Sequence, residues 1–247
     1  MIDLHSHVLP GLDDGPRDVA GSLEILDAAA ADGIATIAAT PHVTDEYPTT
    51  ADAMEAALVE VQALGHAVRV LPGAELDIRS AAELDDTTLR RFGLGGNPRL
   101  LLLETPYYGW PLDLADIVFG FQARGFTLVL AHPERNRDVA DDPERLRPLV
   151  ERGVAMQLTA SAVDGRLGRR AQKTAHTLIE RGLAQLIASD AHTAAIRAIG
   201  MRDAVGTLAD DGLGRWLTED VPAALLAGEQ LPSRPTTRRT MHLPWHR

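Results

Sequence analysis

The sequence predicts an α/β fold in which seven parallel strands close into a (β/α)7 barrel. Three observations predict it. Short β-like runs alternate with amphipathic stretches. The runs are apolar almost throughout, as strands covered on both faces must be. Several amphipathic stretches end in a glycine directly before the next run, the expected helix stop. Alternation with short joins makes the strands parallel and the crossovers right-handed.

The strand runs are 2–5, 34–40, 68–73, 100–104, 127–131, 154–159 and 185–189. The helical patterns between them are 19–32, 51–65, 112–124, 143–152 and 169–181, with Gly33, Gly125, Gly153 and Gly182 at helix ends. Segment 76–97 breaks the rhythm. It is polar and too long for one crossover, so it reads as one or two short helices with loop. Residues 1–232 read as a single domain, a length that one α/β barrel fills. Residues 233–247 carry Arg234, Pro235, Arg238, Arg239, Pro244 and Arg247 and read as a basic, mobile tail.

Composition narrows the function. Hydrophobic residues make up 45% and charged residues 24%, which excludes wholesale disorder. There is no cysteine, so a disulfide framework, a Cys-ligated zinc site and a cysteine nucleophile are all excluded. With 24 basic and 35 acidic residues the net charge is −11, a surface that repels nucleic-acid phosphates and anionic lipid. No apolar run reaches the roughly 20 residues that span a bilayer, and the chain opens without a signal-peptide pattern. The expectation is a soluble cytoplasmic protein with no nucleic-acid partner and no membrane insertion.

The chemistry lies at the strand ends. The first strand ends in His5-Ser6-His7, the second in Thr40-Pro41-His42, the third in Gly73-Ala74-Glu75 and the fourth in Glu104. The fifth ends in His132-Pro133-Glu134-Arg135 and the seventh in Asp190-Ala191-His192. In a parallel barrel these C-terminal ends share one face, where sites are built. His-x-His alone is a weak signal. Five of the nine histidines standing at strand ends, together with carboxylates, is a strong one. Histidine and carboxylate without thiolate suit Mn, Fe, Zn or Co. So many donors exceed the needs of one ion, and clustered ions suit displacement at phosphorus. A carboxylated-lysine amidohydrolase is disfavoured, because the only lysine, Lys173, falls on a helical stretch while the fourth strand ends in Glu104.

These motifs resemble the polymerase and histidinol phosphatase (PHP) superfamily. Within it, Asp3-Leu4-His5-Ser6-His7 through Asp13-Asp14-Gly15 resembles the manganese-dependent tyrosine-protein phosphatases of bacterial capsule and exopolysaccharide operons. The resemblance implies a distorted seven-stranded PHP-type barrel holding three divalent ions, Mn²⁺ foremost. By motif it implies His5, His7, Glu75 and Asp190 at the first ion. Glu75, Glu104 and His132 fall at the second, and Asp14, His42 and His192 at the third. The residues alone do not choose Asp14 over Asp13. Arg135 and Arg197 match arginines that the resemblance places near phosphate, where a forked guanidinium suits the oxygens. The sixth strand departs from the pattern, with Gln157-Leu158-Thr159 where Gln-x-Asn is usual, which puts the surroundings of the donors in question.

The reaction expected is hydrolysis of phosphotyrosine on proteins by direct attack of a metal-bridging hydroxide. The resemblance names the tail of a tyrosine kinase that controls exopolysaccharide synthesis as its partner. Tyr107, Tyr108 and Trp110, just past Glu104, are candidates to stack on the substrate ring. Two other readings stay open: a phosphatase for small esters such as histidinol phosphate, and a metal-stabilised binding domain without turnover.

Overall fold

The computed structural model describes residues 1–195, 198–208 and 210–236. Every strand pair in it is parallel. The strands are β1 (Ile2–Ser6), β2 (Thr36–Ala39), β3 (His42–Val43), β4 (Arg69–Leu71), β5 (Glu75–Asp77), β6 (Leu100–Glu104), β7 (Thr127–Ala131), β8 (Ala155–Thr159) and β9 (Leu186–Ala188). The helices used below are α1 (Val19–Asp32), α2 (Ala51–Gln62), α3 (Ile78–Glu83), α4 (Asp86–Arg91), α5 (Leu114–Ala123), α6 (Arg137–Asp141), α7 (Arg147–Glu151), α8 (Ala160–Val163) and α9 (Arg169–Glu180).

The expected closed barrel of seven unbroken strands is not what the ladder forms. Among the described residues nine strands make two sheets, one ordered β1-β2-β4 and the other β3-β5-β6-β7-β8-β9. Expected strands 34–40 and 68–73 shorten to β2 and β4, which end before Pro41 and Pro72, and new strands β3 and β5 follow those prolines, so His42 and Glu75 open strands rather than end them. Proline has no N–H to give a ladder, so a break there is the physical reason for the split. Two backbone bonds join β1 to the turn after β9: Asp190 N donates to His5 O at 2.8 Å and His7 N to Ala191 O at 2.8 Å. Glu75 N donates to Pro41 O at 3.0 Å where the β3–β5 ladder begins.

Local rules set the helices. The Asp18 carboxylate caps α1 through Gly21 N, and the Thr50 hydroxyl caps α2 through Ala53 N. Gly33 closes α1 at φ 88°, a left-handed conformation that glycine adopts freely. Leu100, Leu101, Leu102 and Leu103 of β6 and Leu128, Val129 and Leu130 of β7 are fully buried, the two-faced burial that their unbroken apolar runs signal. Segment 76–97 holds the expected short helices, α3 and α4. It opens on β5, because Leu76 pairs with both Val43 and Leu103.

Of the expected tail, Arg234 donates to Ile179 O at 2.6 Å, and residues 237–247 lie outside the described residues. No helix of the described residues is long and apolar enough to cross a membrane.

Candidate metal centre

Successive side chains of a strand alternate in direction, so His5 and His7 leave β1 on the same side. Both are fully buried, and their Nε2 atoms stand 3.2 Å apart. Glu75, from β5, reaches the same point. Its Oε2 lies 3.1 Å from His5 Nε2, 3.3 Å from His7 Nε2 and 3.0 Å from His42 Nδ1, yet makes no hydrogen bond. Asp190, just past β9, brings Oδ1 to 3.5 Å from the Nε2 of both His5 and His7.

The other oxygen of Glu75 faces a second group. Glu75 Oε1 is 2.8 Å from His132 Nε2, and Glu104 Oε1 is 3.7 Å from that nitrogen. Glu104 Oε2 reaches to 3.9 Å from His42 Nδ1. A third group forms around Asp14, whose Oδ1 lies 3.0 Å from His192 Nε2 and 3.6 Å from His42 Nε2. The structure thus gathers all nine expected donors. Donor atoms of His7, Asp14, His42 and His192, of His5, His7 and Glu75, and of His42, Glu75 and Glu104 lie within 4.8 Å of one another in each set.

Neighbours fix the ring orientations. His5 Nδ1–H donates to Gln157 Oε1 at 2.9 Å, His7 Nδ1–H to Asp13 Oδ2 at 2.6 Å, and His192 Nδ1–H to Asp190 O at 2.9 Å. Each bond sets the tautomer and turns the lone pair of Nε2 toward the cluster. The two aspartates that the sequence left undecided therefore have separate places. Asp14 faces His42 and His192; Asp13 lies behind His7 and also accepts from His42 N and Gly15 N. Gly15 is required by close approach, since a Cβ there would stand 2.4 Å from His7 O. The altered sixth strand keeps its useful residue, because Gln157 also accepts from His132 N at 3.3 Å. Thr159 N donates to Glu134 Oε1 instead.

Backbone strain marks the same place. Among the described residues the only non-glycine residues in the left-handed region are His132 (φ 34°) and Asp190 (φ 53°). Such conformations cost on the order of 1 kcal/mol or more each and collect at functional sites.

The electrostatics call for positive charge. Burial opposes a charge on His5, but the carboxylates of Glu75 and Asp190 push it up to about 9. Burial likewise opposes a charge on His7, and its bond to Asp13 still carries it well above the usual histidine range. Burial would raise Glu75, yet the charge of His5 holds it well below the usual carboxylate range. Burial and the charge of Glu75 push Glu104 up. Protons are drawn to these ring nitrogens because carboxylates crowd them. Ring nitrogens and carboxylates so arranged fit divalent cations, which would displace those protons.

A cavity of about 410 Å³ opens over the cluster, lined by Asp14, His42, Tyr47, Glu104, Tyr107 and Arg135 among others. Arg135 Nη1 donates to Asp190 Oδ2 at 2.9 Å, and its guanidinium lies 4.6 Å from the centre of the Tyr107 ring. The sequence did not single out Tyr47. Its ring lies 5.7 Å from that of His42, inclined by 17°, at the tip of a turn tied by Thr44 N to Tyr47 O. The available signal was an aromatic residue five positions past His42. Two of the three expected ring-stacking residues are not brought to this cavity. Tyr108 is 68% exposed beneath the guanidinium of Arg137, and Trp110 packs against the apolar core with Arg145 over its ring. Arg197 lies outside the described residues.

The family model described as "Capsular polysaccharide synthesis, CpsB/CapC" matches residues 1–219. The tyrosine-protein phosphatase YwqE of Bacillus subtilis is 34% identical to this chain, the match covering 98% of each. The putative tyrosine-protein phosphatase CapC of Staphylococcus aureus is 28% identical over 78% of this chain and 77% of its own. Among solved structures, a chain from a study of YwqE from Bacillus subtilis and CpsB from Streptococcus pneumoniae superposes with TM-score 0.86 at 31% identity. That match covers 96% of this chain and 100% of the other, and its description calls the two proteins "unique metal-dependent tyrosine phosphatases".

Proposed function

This chain belongs to the CpsB/CapC family, and on that premise we propose that it is a metal-dependent phosphatase acting on phosphotyrosine in proteins. The observation that carries the reading is Glu75. Its two oxygens face different histidine groups beneath a cavity that also holds an arginine.

Three divalent ions fit the donors. His5, His7, Glu75 and Asp190 would hold the first; Glu75, Glu104 and His132 the second; Asp14, His42 and His192 the third. Mn²⁺ is the ion proposed, with Fe, Zn and Co compatible with the same ligands. Bound there, such ions supply Lewis acidity and lower the pKa of water to near neutrality. The two-sheet ring is read as the seven-pass distorted barrel of the PHP type, with its passes broken at Pro41 and Pro72.

The remaining residues act on the substrate. Arg135 offers phosphate a fixed fork of donors and charge that stabilises the pentacoordinate state. Arg197 is proposed to share that role. Tyr47 and Tyr107 flank the cavity and would take the phenyl ring between them. No phosphoenzyme is required, and a phenolate leaves readily for an alkoxide-like group, since its conjugate acid has a pKa of about 10. The proposed partner is the phosphorylated tail of a cytoplasmic-facing tyrosine kinase of capsule synthesis, which places the enzyme in the cytoplasm.

A paired assay tests the reading. Phosphotyrosine peptide should be hydrolysed with metal present and not after chelation, and histidinol phosphate should be the poorer substrate. Faster turnover of histidinol phosphate would overturn it.

A further inference from the structure

We propose that a second cavity, sharing Arg135 with the catalytic mouth, binds an acidic side chain that flanks the phosphotyrosine of a protein substrate. The proposal rests on the phosphotyrosine reading above and adds the sequence around the target residue. This cavity, of about 260 Å³, is lined by Glu134, Arg135, Arg137, Leu167, Arg170 and Ala171. Arg135 also lines the mouth above the metal donors. The two cavities are therefore adjacent, with one side chain as their common wall.

The second cavity gathers cations. Arg137 and Arg170 are exposed, and Arg170 Nη2 is held in place by Arg137 O at 3.3 Å and Asp141 Oδ1 at 3.1 Å. Arg137 lies over the ring of Tyr108, its guanidinium 4.8 Å from the ring centre, so it is preorganised as well. Lys173, three positions past Arg170 on α9, lines a neighbouring cavity with it. Two acids stand here: Asp141 pairs with Arg170, and Glu134 is buried, its Oε1 accepting from Thr159 N and its Oε2 without a hydrogen bond. Leu167, 42% exposed, adds an apolar ledge for the stem of a glutamate.

Charge makes the occupant specific. The chain carries −11 overall, so its general surface repels an acidic peptide. A group of cations beside the mouth reverses that locally and rewards an acidic residue at the right spacing. An extended peptide advances about 3.3 Å per residue, which puts this cavity within reach of a residue one to three positions from the phosphotyrosine. Arg137 and Arg170 are forked donors suited to a carboxylate.

The test compares kcat/KM on three substrates: a phosphotyrosine peptide with Glu at the flanking positions, the same peptide with Gln there, and p-nitrophenyl phosphate. The Glu peptide should exceed the Gln peptide by roughly three- to tenfold, the range that two exposed charge contacts support, and 0.5 M salt should shrink the difference. In Arg137→Glu and, separately, Arg170→Gln that preference should fall to near one, with p-nitrophenyl phosphate turnover unchanged. Equal rates on both peptides in the unmodified enzyme would overturn the subsite and leave the phosphatase reading standing. A preference that survives both substitutions would overturn it too. Hydrolysis of neither peptide would remove the phosphatase reading and the subsite with it.

Discussion

Asp13 Oδ2 lies 2.6 Å from the Nδ1 of His7 and accepts a hydrogen bond from its N–H. The bond works in both directions. It leaves His7 Nε2 bare toward the cluster, and it helps hold Asp13 down at about 2 against the opposing effect of burial. Carboxylate–histidine pairs of this kind raise the basicity of a metal-binding nitrogen.

Asp13→Ala should therefore weaken metal binding by roughly 10- to 100-fold, the usual effect of losing such a partner. Asp13→Asn should lose less, since an amide oxygen still accepts from Nδ1. Competition against a chelator of known affinity measures both. Unchanged affinity in Asp13→Ala would make the bond a packing detail.

Removal of metal should abolish phosphatase activity, and Mn²⁺ should restore it better than Mg²⁺, which prefers oxygen ligands and keeps its water. Elemental analysis at saturating Mn²⁺ should find three ions per chain. One ion per chain would reject the proposed division of donors, and full activity in metal-free protein would reject metal dependence altogether.

Arg135 meets Asp190 on one side and the Tyr107 ring on the other. Arg135→Ala should lower kcat by roughly 10²-fold, as for loss of one transition-state stabiliser, with metal content near normal. Arg135→Lys should recover part of the rate, because the charge returns without the fork. Parallel loss of metal and rate would mean that Arg135 acts by holding Asp190.

The aromatic walls give a prediction that separates residues alike in sequence. Tyr47→Ala or Tyr107→Ala should raise KM for a phosphotyrosine peptide about two- to thirteenfold, the equivalent of roughly 0.5–1.5 kcal/mol of ring contact. Aliphatic phosphate esters should be little affected. Trp110→Ala should leave both substrates alone, because that ring packs against the core under Arg145. Steady-state kinetics on the two substrate types decides it.

The donors were legible because they follow a rule of topology. Parallel strands put their C-terminal ends on one face, so His5, Glu104, His132 and Asp190 could be read off as strand endings, whereas His42 and Glu75, expected to end strands, instead open β3 and β5. The Asp18 cap of α1 was read only from the fold, whereas helix stops were legible by a local rule, as at Gly33. The choice between Asp13 and Asp14 was not. Both sit in one turn, and only the fold shows which carboxylate meets His192. Gln157 was seen as a motif residue, but its bond to His5 spans 152 positions and leaves no local trace. The split into two sheets was hidden because Pro41 and Pro72 lie at the ends of apolar runs, where a proline reads as a stop rather than a break. Tyr108 and Trp110 misled through proximity in sequence, since a loop turns neighbouring side chains in different directions.

The division into two sheets gives the cluster a mechanical role. His5 and His7 come from the edge of the three-stranded sheet, while Glu75, Glu104 and His132 come from the six-stranded one. Along the join between β1 and β9 the ladder is reduced to two backbone bonds, Asp190 N to His5 O and His7 N to Ala191 O. Ions held by both sets would act as rivets across that join, making catalytic competence and the mechanical integrity of this end of the fold one property. The amides of His7 and Asp190 should then exchange slowly in loaded protein and quickly once it is stripped. The opposite end of the strands, which no ligand spans, should breathe alike in both.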